Sequence, residues 1–334
     1  MNASAEPAPP LSGRDAYRAE LTALAGADPA IVCLEADLGG RNHPFQQAHP
    51  GRFFNLGIAE GTMIDMAAAL ASAGLRPFVS TFATFVAMRA AESIKLSLGY
   101  LGAPVTIVAP YAGVSGGWFG TTHHCLEDLA VVGAFPGVTI AAPFGEEETR
   151  AVVRAAAASG RPGYVRLGRN AAHHSLPWQG DAVPPVVWQG GVPGVAAGSA
   201  AGGTAGCLVS VGEYGTELCL AAVAAHPDLA HAHLCYLDEA HLRVAAAELA
   251  EHFRELVVVE EHRSWGGVGS ALARLLPHCA VHSVAAADGW PSHGGGREDV
   301  AAEVGLDLAA VLRKALALGP GPRLVPRHEE RRAA

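Results

Sequence analysis

Four kinds of side chain in this 334-residue sequence stand where their chemistry could matter: one acid, one histidine, a spaced row of aromatics and a few arginines. Glu60 ends the run Asn55-Leu-Gly-Ile-Ala-Glu60 and opens a stretch in which Met63, Met66, Ala67, Leu70 and Ala71 recur at helical spacing. Gly74 and Pro77 stop it. The acid therefore sits in the first turn of an otherwise apolar helix. There it is either a charge favoured by the helix dipole or a buried acid whose protonated form a dry pocket favours, fit for proton chemistry. Phe82 and Phe85 lie three residues apart, with Met88 three further on. Such a row packs a core or offers a flat apolar face to a planar ligand. His123 lies within Gly116-Gly-Trp-Phe-Gly-Thr-Thr-His-His-Cys-Leu-Glu-Asp128, where an imidazole either holds structure or carries a proton. Arg14, Arg166 and Arg169 are anion-binding candidates, or ion-pair partners at a surface or domain boundary.

Other chemistries fit less well. Gly267-Val-Gly269 follows a strand pattern, but Leu272 occupies the third glycine's place in a dinucleotide fingerprint. Ser115-Gly-Gly117 lacks the Lys-Ser or Lys-Thr of a phosphate loop. Sixteen histidines invite a metal, yet His123-His124 and His173-His174 are adjacent pairs that point apart on a strand, and no Glu-x-x-His occurs. No metal site is expected within this chain alone.

The elements that must position these residues alternate. Apolar runs at Ala30–Leu34, Pro77–Val79, Val105–Ala109, Val138–Ala141 and Tyr164–Leu167 read as strands. Helical patterns at 14–24, 58–73, 84–98, 127–133 and 146–159 separate them. From 181 to 204 the composition turns to Pro, Gly, Ala and Val, which reads as a linker. A second series follows, with strands at 207–211, 233–237, 256–260 and 280–284 and helices at 217–225, 243–251 and 269–276. The fold class is α/β: two tandem three-layer α/β/α domains with mainly parallel sheets, at 12–180 and 205–318.

The order Asn-Leu-Gly-Ile-Ala-Glu60, a helix, then Ser80-Thr-Phe-Ala-Thr-Phe85 resembles the pyrimidine-binding domain of transketolases and their thiamine-diphosphate relatives. The Gly120-Thr-Thr-His123 segment is similar to the Gly-Pro-Thr-His stretch of the same family. Residues 256–269 and 288–306 resemble its C-terminal domain, which serves mainly assembly. The resemblance spans about residues 12–318 and implies thiamine diphosphate as cofactor. By it, Glu60 touches N1′ of the aminopyrimidine and favours the imino form through which the cofactor's C2 proton is lost. Phe82 and Phe85 form the platform for the ring, with Met88 in the place of a third aromatic and Ile58 beside them. His123 lies over the reactive carbon and moves protons. Phe119 stands where many transketolases have an aspartate that contacts the sugar, and Tyr111 is near the place of another histidine. A phenyl ring for a carboxylate removes a strong acceptor, so an acceptor other than an ordinary sugar phosphate is expected. Arg14 and Arg169, with Arg166 as alternative, match the family's phosphate-binding arginines, whereas Gly39-Gly-Arg41 replaces a serine of that site.

The family's diphosphate-binding domain, marked by Gly-Asp-Gly and a later asparagine, has no counterpart here. The resemblance therefore implies the C-terminal half of a split transketolase. A separate N-terminal subunit would hold the diphosphate and Mg2+ (or Ca2+) in an α2β2 assembly, with self-association through both domains of this chain. Rival readings are the β subunit of a 2-oxo acid dehydrogenase decarboxylase, a deoxyxylulose-phosphate-synthase-like enzyme, and a non-catalytic assembly subunit. A net charge of −9 with 16% charged residues argues against nucleic acid or an anionic membrane as partner. Six scattered cysteines without Cys-x-x-Cys, and no basic leader at Met1–Pro10, point to the cytoplasm.

Overall fold

In the computed structural model, which describes residues 8–38, 42–190 and 206–318, the short apolar runs become strands and the periodic runs become the helices that cover them. The first half comprises α1 (Gly13–Ala27), β1 (Ile31–Glu35), α2 (Pro44–Ala48), β2 (Phe53–Asn55), α3 (Glu60–Ser72), β3 (Arg76–Ser80) and the short turn α4 (Ala91–Ser93). It continues with β4 (Thr106–Ala109), α5 (Asp128–Gly133), β5 (Thr139–Ala141), α6 (Gly145–Ser159) and β6 (Gly163–Arg166). Its strands run in the order β2-β1-β3-β4-β6-β5, every pair parallel. β1, β4 and β6 are buried along their whole length, as strands covered on both faces must be.

The second half comprises β7 (Val187–Trp188), β8 (Cys207–Val211), α7 (Gly212–Ala225), β9 (Ala230–Leu234), α8 (Glu239–His252) and β10 (Glu255–Arg263). It ends with α9 (Val268–Leu275), β11 (Ala280–Ala286), α10 (Arg297–Glu303) and α11 (Leu308–Ala315). Here the order is β11-β10-β8-β9-β7, parallel except for β7 against β9. One apolar cluster passes from the first sheet into the second, joining Val132 and Ile140 to Leu242 and Val268.

Several elements differ from the sequence expectation. Instead of one helix over 84–98, two wide π-type turns, Phe85–Arg89 and Ile94–Tyr100, flank α4; such turns concentrate at functional sites. The strand expected at 233–237 is β9, three residues earlier, because His231 and His233 are buried within it and break the apolar run. Cys235 and Tyr236 instead tie the halves together: Ala142 N–H donates to the Cys235 carbonyl at 2.8 Å, and Tyr236 bridges Ala141. Val187 and Trp188, read as linker, pair with β9 at the edge of the second sheet; the remainder of the linker from 191 on lies outside the described residues. The edge strand β2 carries the chain to the start of α3.

At Gly267–Gly269 the chain fills its own would-be anion site. Glu260 accepts from Val268 N–H at 2.6 Å and Gly269 N–H at 3.0 Å. A Cβ on Gly267 would come within 2.6 Å of the Glu260 carboxylate. Burial raises the Glu260 carboxyl to about 7 against the lowering effect of these two amides. A second polar group joins Arg297 to Glu213 (2.9 Å) and to Glu217, with His173 on Glu217 at 3.0 Å. Burial raises the Glu213 carboxyl to about 7 even beside Arg297, and the hydrogen bond that His173 donates to the Glu217 carboxylate raises the imidazole.

Candidate active site

Glu60 is the first residue of α3 and is only 2% exposed. The helix behind it buries Met63, Ile64, Ala67 and Ala71 against the first sheet, which fixes the direction in which the first turn points. The acid has a partner that the sequence analysis did not name. Nη1 of Arg89 donates to both carboxylate oxygens, at 2.7 and 2.8 Å. The same guanidinium lies over the Phe85 ring, 4.6 Å from its centroid. Arg89 follows Phe85 by four residues in the π-type turn, and that spacing after an aromatic was the one available signal.

Phe82 and Phe85 are half-buried with centroids 5.5 Å apart. His123 stands edge-on to both, at 5.5 and 5.2 Å, and stacks on Phe119 at 5.2 Å and 29°. Tyr111 lies 4.2 Å from Phe82 and 6.0 Å from Phe119. Its φ is +63°, a left-handed backbone that costs an aromatic residue about 1–2 kcal/mol. Hydrogen bonds to the end of β6 hold it there: Tyr111 N–H to the Gly168 carbonyl and Ala112 N–H to the Leu167 carbonyl. Strain of this kind gathers at functional sites.

The arginines complete the cluster. Arg14 Nη1 donates to the Tyr111 hydroxyl at 3.1 Å, and Nη2 reaches Asn170 Oδ1 at 3.5 Å. Arg169 lies over Tyr111 at 5.4 Å and Phe119 at 4.9 Å. The Nε atoms of both arginines are buried without a hydrogen-bond partner, that of Arg14 lying 3.8 Å from an Asp15 carboxylate oxygen. Thus Phe82, Phe85, Tyr111, Phe119, His123, Arg14 and Arg169 form one cluster of contacts, and Glu60 is joined to it through Arg89. Arg166 does not join them. It is buried and bonded to Asp128 at 2.9 Å and to the Glu261 carbonyl at 2.6 Å, so its donors are committed to joining the two halves. Met88 is 42% exposed beside an opening of about 450 Å3 lined also by Thr84, Thr122, His124 and Trp290. Ile58 is exposed at the turn before α3. Gly39–Arg41 lie outside the described residues.

The segment that carries Phe119 and His123 is braced by the second half of the chain. Thr121 donates to the Pro291 carbonyl at 2.7 Å. Gly117, at φ +52°, passes so close to the 294–296 loop that a Cβ would lie 2.8 Å from the Gly295 carbonyl. Val114 N–H donates to Glu261 at 2.9 Å, and Arg263 pairs with Glu127 at 3.1 Å. The C-terminal domain, expected to serve mainly assembly, therefore also shapes the site. Of the two neighbouring histidines, His124 is the structural one. Its ring is buried, burial lowers its pKa, and Nε2 donates to the Gly117 carbonyl at 3.2 Å. Among the described residues no group of three or more His, Cys, Asp and Glu is arranged to hold a metal ion. No helix among them is long and apolar enough to cross a membrane.

The chain belongs to the transketolase family. Residues 10–174 match the transketolase pyrimidine-binding domain. A transketolase-family protein of Sinorhizobium fredii is 33% identical over 79% of this chain and 75% of its own length. A protein of Methanocaldococcus jannaschii named as a transketolase C-terminal section is 39% identical over 47% of this chain and half of its own length. A 1-deoxy-D-xylulose-5-phosphate synthase of Kitasatospora griseola is 32% identical over 81% of this chain but only 40% of its own length. The chain thus spans half or less of some relatives that it matches. Among solved structures, a split gene transketolase described as an inactive beta4 tetramer superimposes with a TM-score of 0.75 at 29% identity. That match covers 92% of this chain and 98% of the other.

Proposed function

We propose that the chain is the C-terminal subunit of a split, thiamine-diphosphate-dependent transketolase that turns over only with a separate N-terminal subunit. The observation that carries this reading is Glu60: a carboxyl 2% exposed at the foot of an apolar helix, one guanidinium away from the Phe85 ring. A planar heterocycle with a basic nitrogen fits that pairing of acid and aromatic face. When bound, thiamine diphosphate supplies the nucleophilic carbon that takes a two-carbon ketol unit from a ketose donor and passes it to an aldehyde. Glu60 holds the ring nitrogen and shares a proton with it. Phe82 and Phe85 flank the ring and exclude water, with Met88 and Ile58 at the rim. His123, among these rings, hands protons to and from substrate oxygens. Arg14 and Arg169 grip the anionic end of a donor, and the Tyr111–Phe119 wall favours an acceptor other than an ordinary sugar phosphate.

In this reading the diphosphate and its Mg2+ (or Ca2+) belong to the partner, in an α2β2 assembly. The exposed Phe54, Ile58, Met88, Leu96, Tyr100 and Leu101 support an apolar surface that another subunit covers. Six free cysteines support the cytoplasm as its place. The test is reconstitution with the N-terminal subunit and product analysis over a panel of ketose donors and aldehydes. Glu60→Ala should lower turnover by about 10²–10⁴-fold while assembly persists; unchanged turnover would make the chain a scaffold. Similarity to the synthase favours a second reading, in which a 2-oxo acid is consumed with release of carbon dioxide, and that gas is its readout.

A further inference from the structure

We infer that Arg89 is a place-holder for the cofactor ring: its guanidinium neutralises Glu60 and covers Phe85 until the ring displaces it. The inference rests on the thiamine reading of the site and adds to it a residue with a role before catalysis. Three observations carry it. First, the Arg89 guanidinium is the sole side-chain partner of Glu60 among the described residues, bonding both oxygens of an acid that is 2% exposed. A buried carboxylate stripped of its cation is strongly disfavoured, so removing Arg89 alone is costly unless another group takes its place. Second, the guanidinium is a planar, nitrogen-rich group lying 4.6 Å over Phe85. A heterocycle that touches Glu60 and lies on Phe85 needs that same volume, so the two occupants exclude each other. Third, the Arg89 side chain is 48% exposed. It can swing outward by rotamer changes alone, without moving the backbone.

The exchange has a functional direction. With the guanidinium in place, Glu60 faces a fixed cation and a proton has no part in that contact. With the ring in its place, the acid can share a proton with the ring nitrogen. Because the cofactor meets a binding-competent chain only in the fraction of time that Arg89 is swung out, its apparent affinity is reduced by that fraction.

The test compares wild type, Arg89→Met and Arg89→Lys, each assembled with the N-terminal subunit and titrated with thiamine diphosphate and Mg2+ by quenching of tryptophan fluorescence. We expect Arg89→Met to bind about fivefold tighter or more, with Arg89→Lys between it and wild type. The melting temperature of the isolated chain should fall in Arg89→Met, and Glu60→Gln/Arg89→Met should recover part of that loss. Equal or weaker binding by Arg89→Met overturns the place-holder; weaker binding would make Arg89 a contact of the bound ring. Failure of the assembled wild type to bind thiamine diphosphate at all overturns the functional reading and this inference with it.

Discussion

Tyr111→Phe isolates the hydroxyl that links an aromatic wall to an arginine. The substitution keeps the ring, its packing on Phe82 and the left-handed backbone, and removes only the acceptor that Arg14 Nη1 reaches at 3.1 Å. Arg14 is then left with Asn170 at 3.5 Å as its side-chain hydrogen-bond partner. Hydrogen bonds to charged groups contribute about 1.5–3 kcal/mol. The Arg14 side chain is 22% exposed, which places this bond at the lower end of that range. A loss of about 1.4 kcal/mol is tenfold in affinity. KM for a phosphorylated ketose donor should therefore rise about tenfold while kcat stays close to wild type, the pattern of lost uniform binding. An uncharged ketose should be unaffected. Initial rates of the reconstituted enzyme with the two donors, and a melting curve to confirm the fold, decide the matter. Equal KM increases for both donors, or a fall in kcat alone, would refute a role for Arg14 in holding the anion.

Arg166→Met should destabilise the chain by about 3–5 kcal/mol, because it leaves the fully buried Asp128 carboxylate without its cation. Calorimetry should record a large drop in melting temperature; a raised KM without lost stability would return Arg166 to the substrate site. Stability should also depend on pH in a particular sense. Glu213 and Glu260 titrate near 7 in the folded chain, above the ordinary glutamate range. Between about 4.5 and 7 the folded form thus holds protons that the unfolded form has released. Their stabilisation is complete below that window and is lost as pH rises through it. The raised His173 acts in the same sense. His124, His231 and His262, lowered by burial, act in the opposite sense, so the carboxyl effect is read as a difference. Relative to wild type, Glu213→Gln/Glu260→Gln should lose melting temperature on going from pH 8 to 6, and an unchanged pH dependence would contradict the assigned burial.

Much of the fold was legible because it is local. β1, β4 and β6 announce themselves as apolar runs, and α3 shows its period from Met63 to Ala71. Glu60, the phenylalanine pair and His123 were visible as departures from those patterns. Arg89 was hidden because a π-type turn places it on the acid without helical periodicity. Arg166 was misread for a different reason: its partner carbonyl belongs to Glu261, 95 residues away. Contacts of that separation leave no trace in spacing. The bracing of Val114 by Glu261 spans 147 residues and was equally silent.

The clasp of Thr121 and Gly117 by the loop around Pro291 and Gly295 makes the two halves inseparable in use. A truncated protein ending near Gly190 would still contain every side chain assigned to chemistry, yet the ribbon bearing Phe119 and His123 would have lost its backing. Exchanging tail portions among relatives would accordingly shift that ribbon without altering Phe119 or His123.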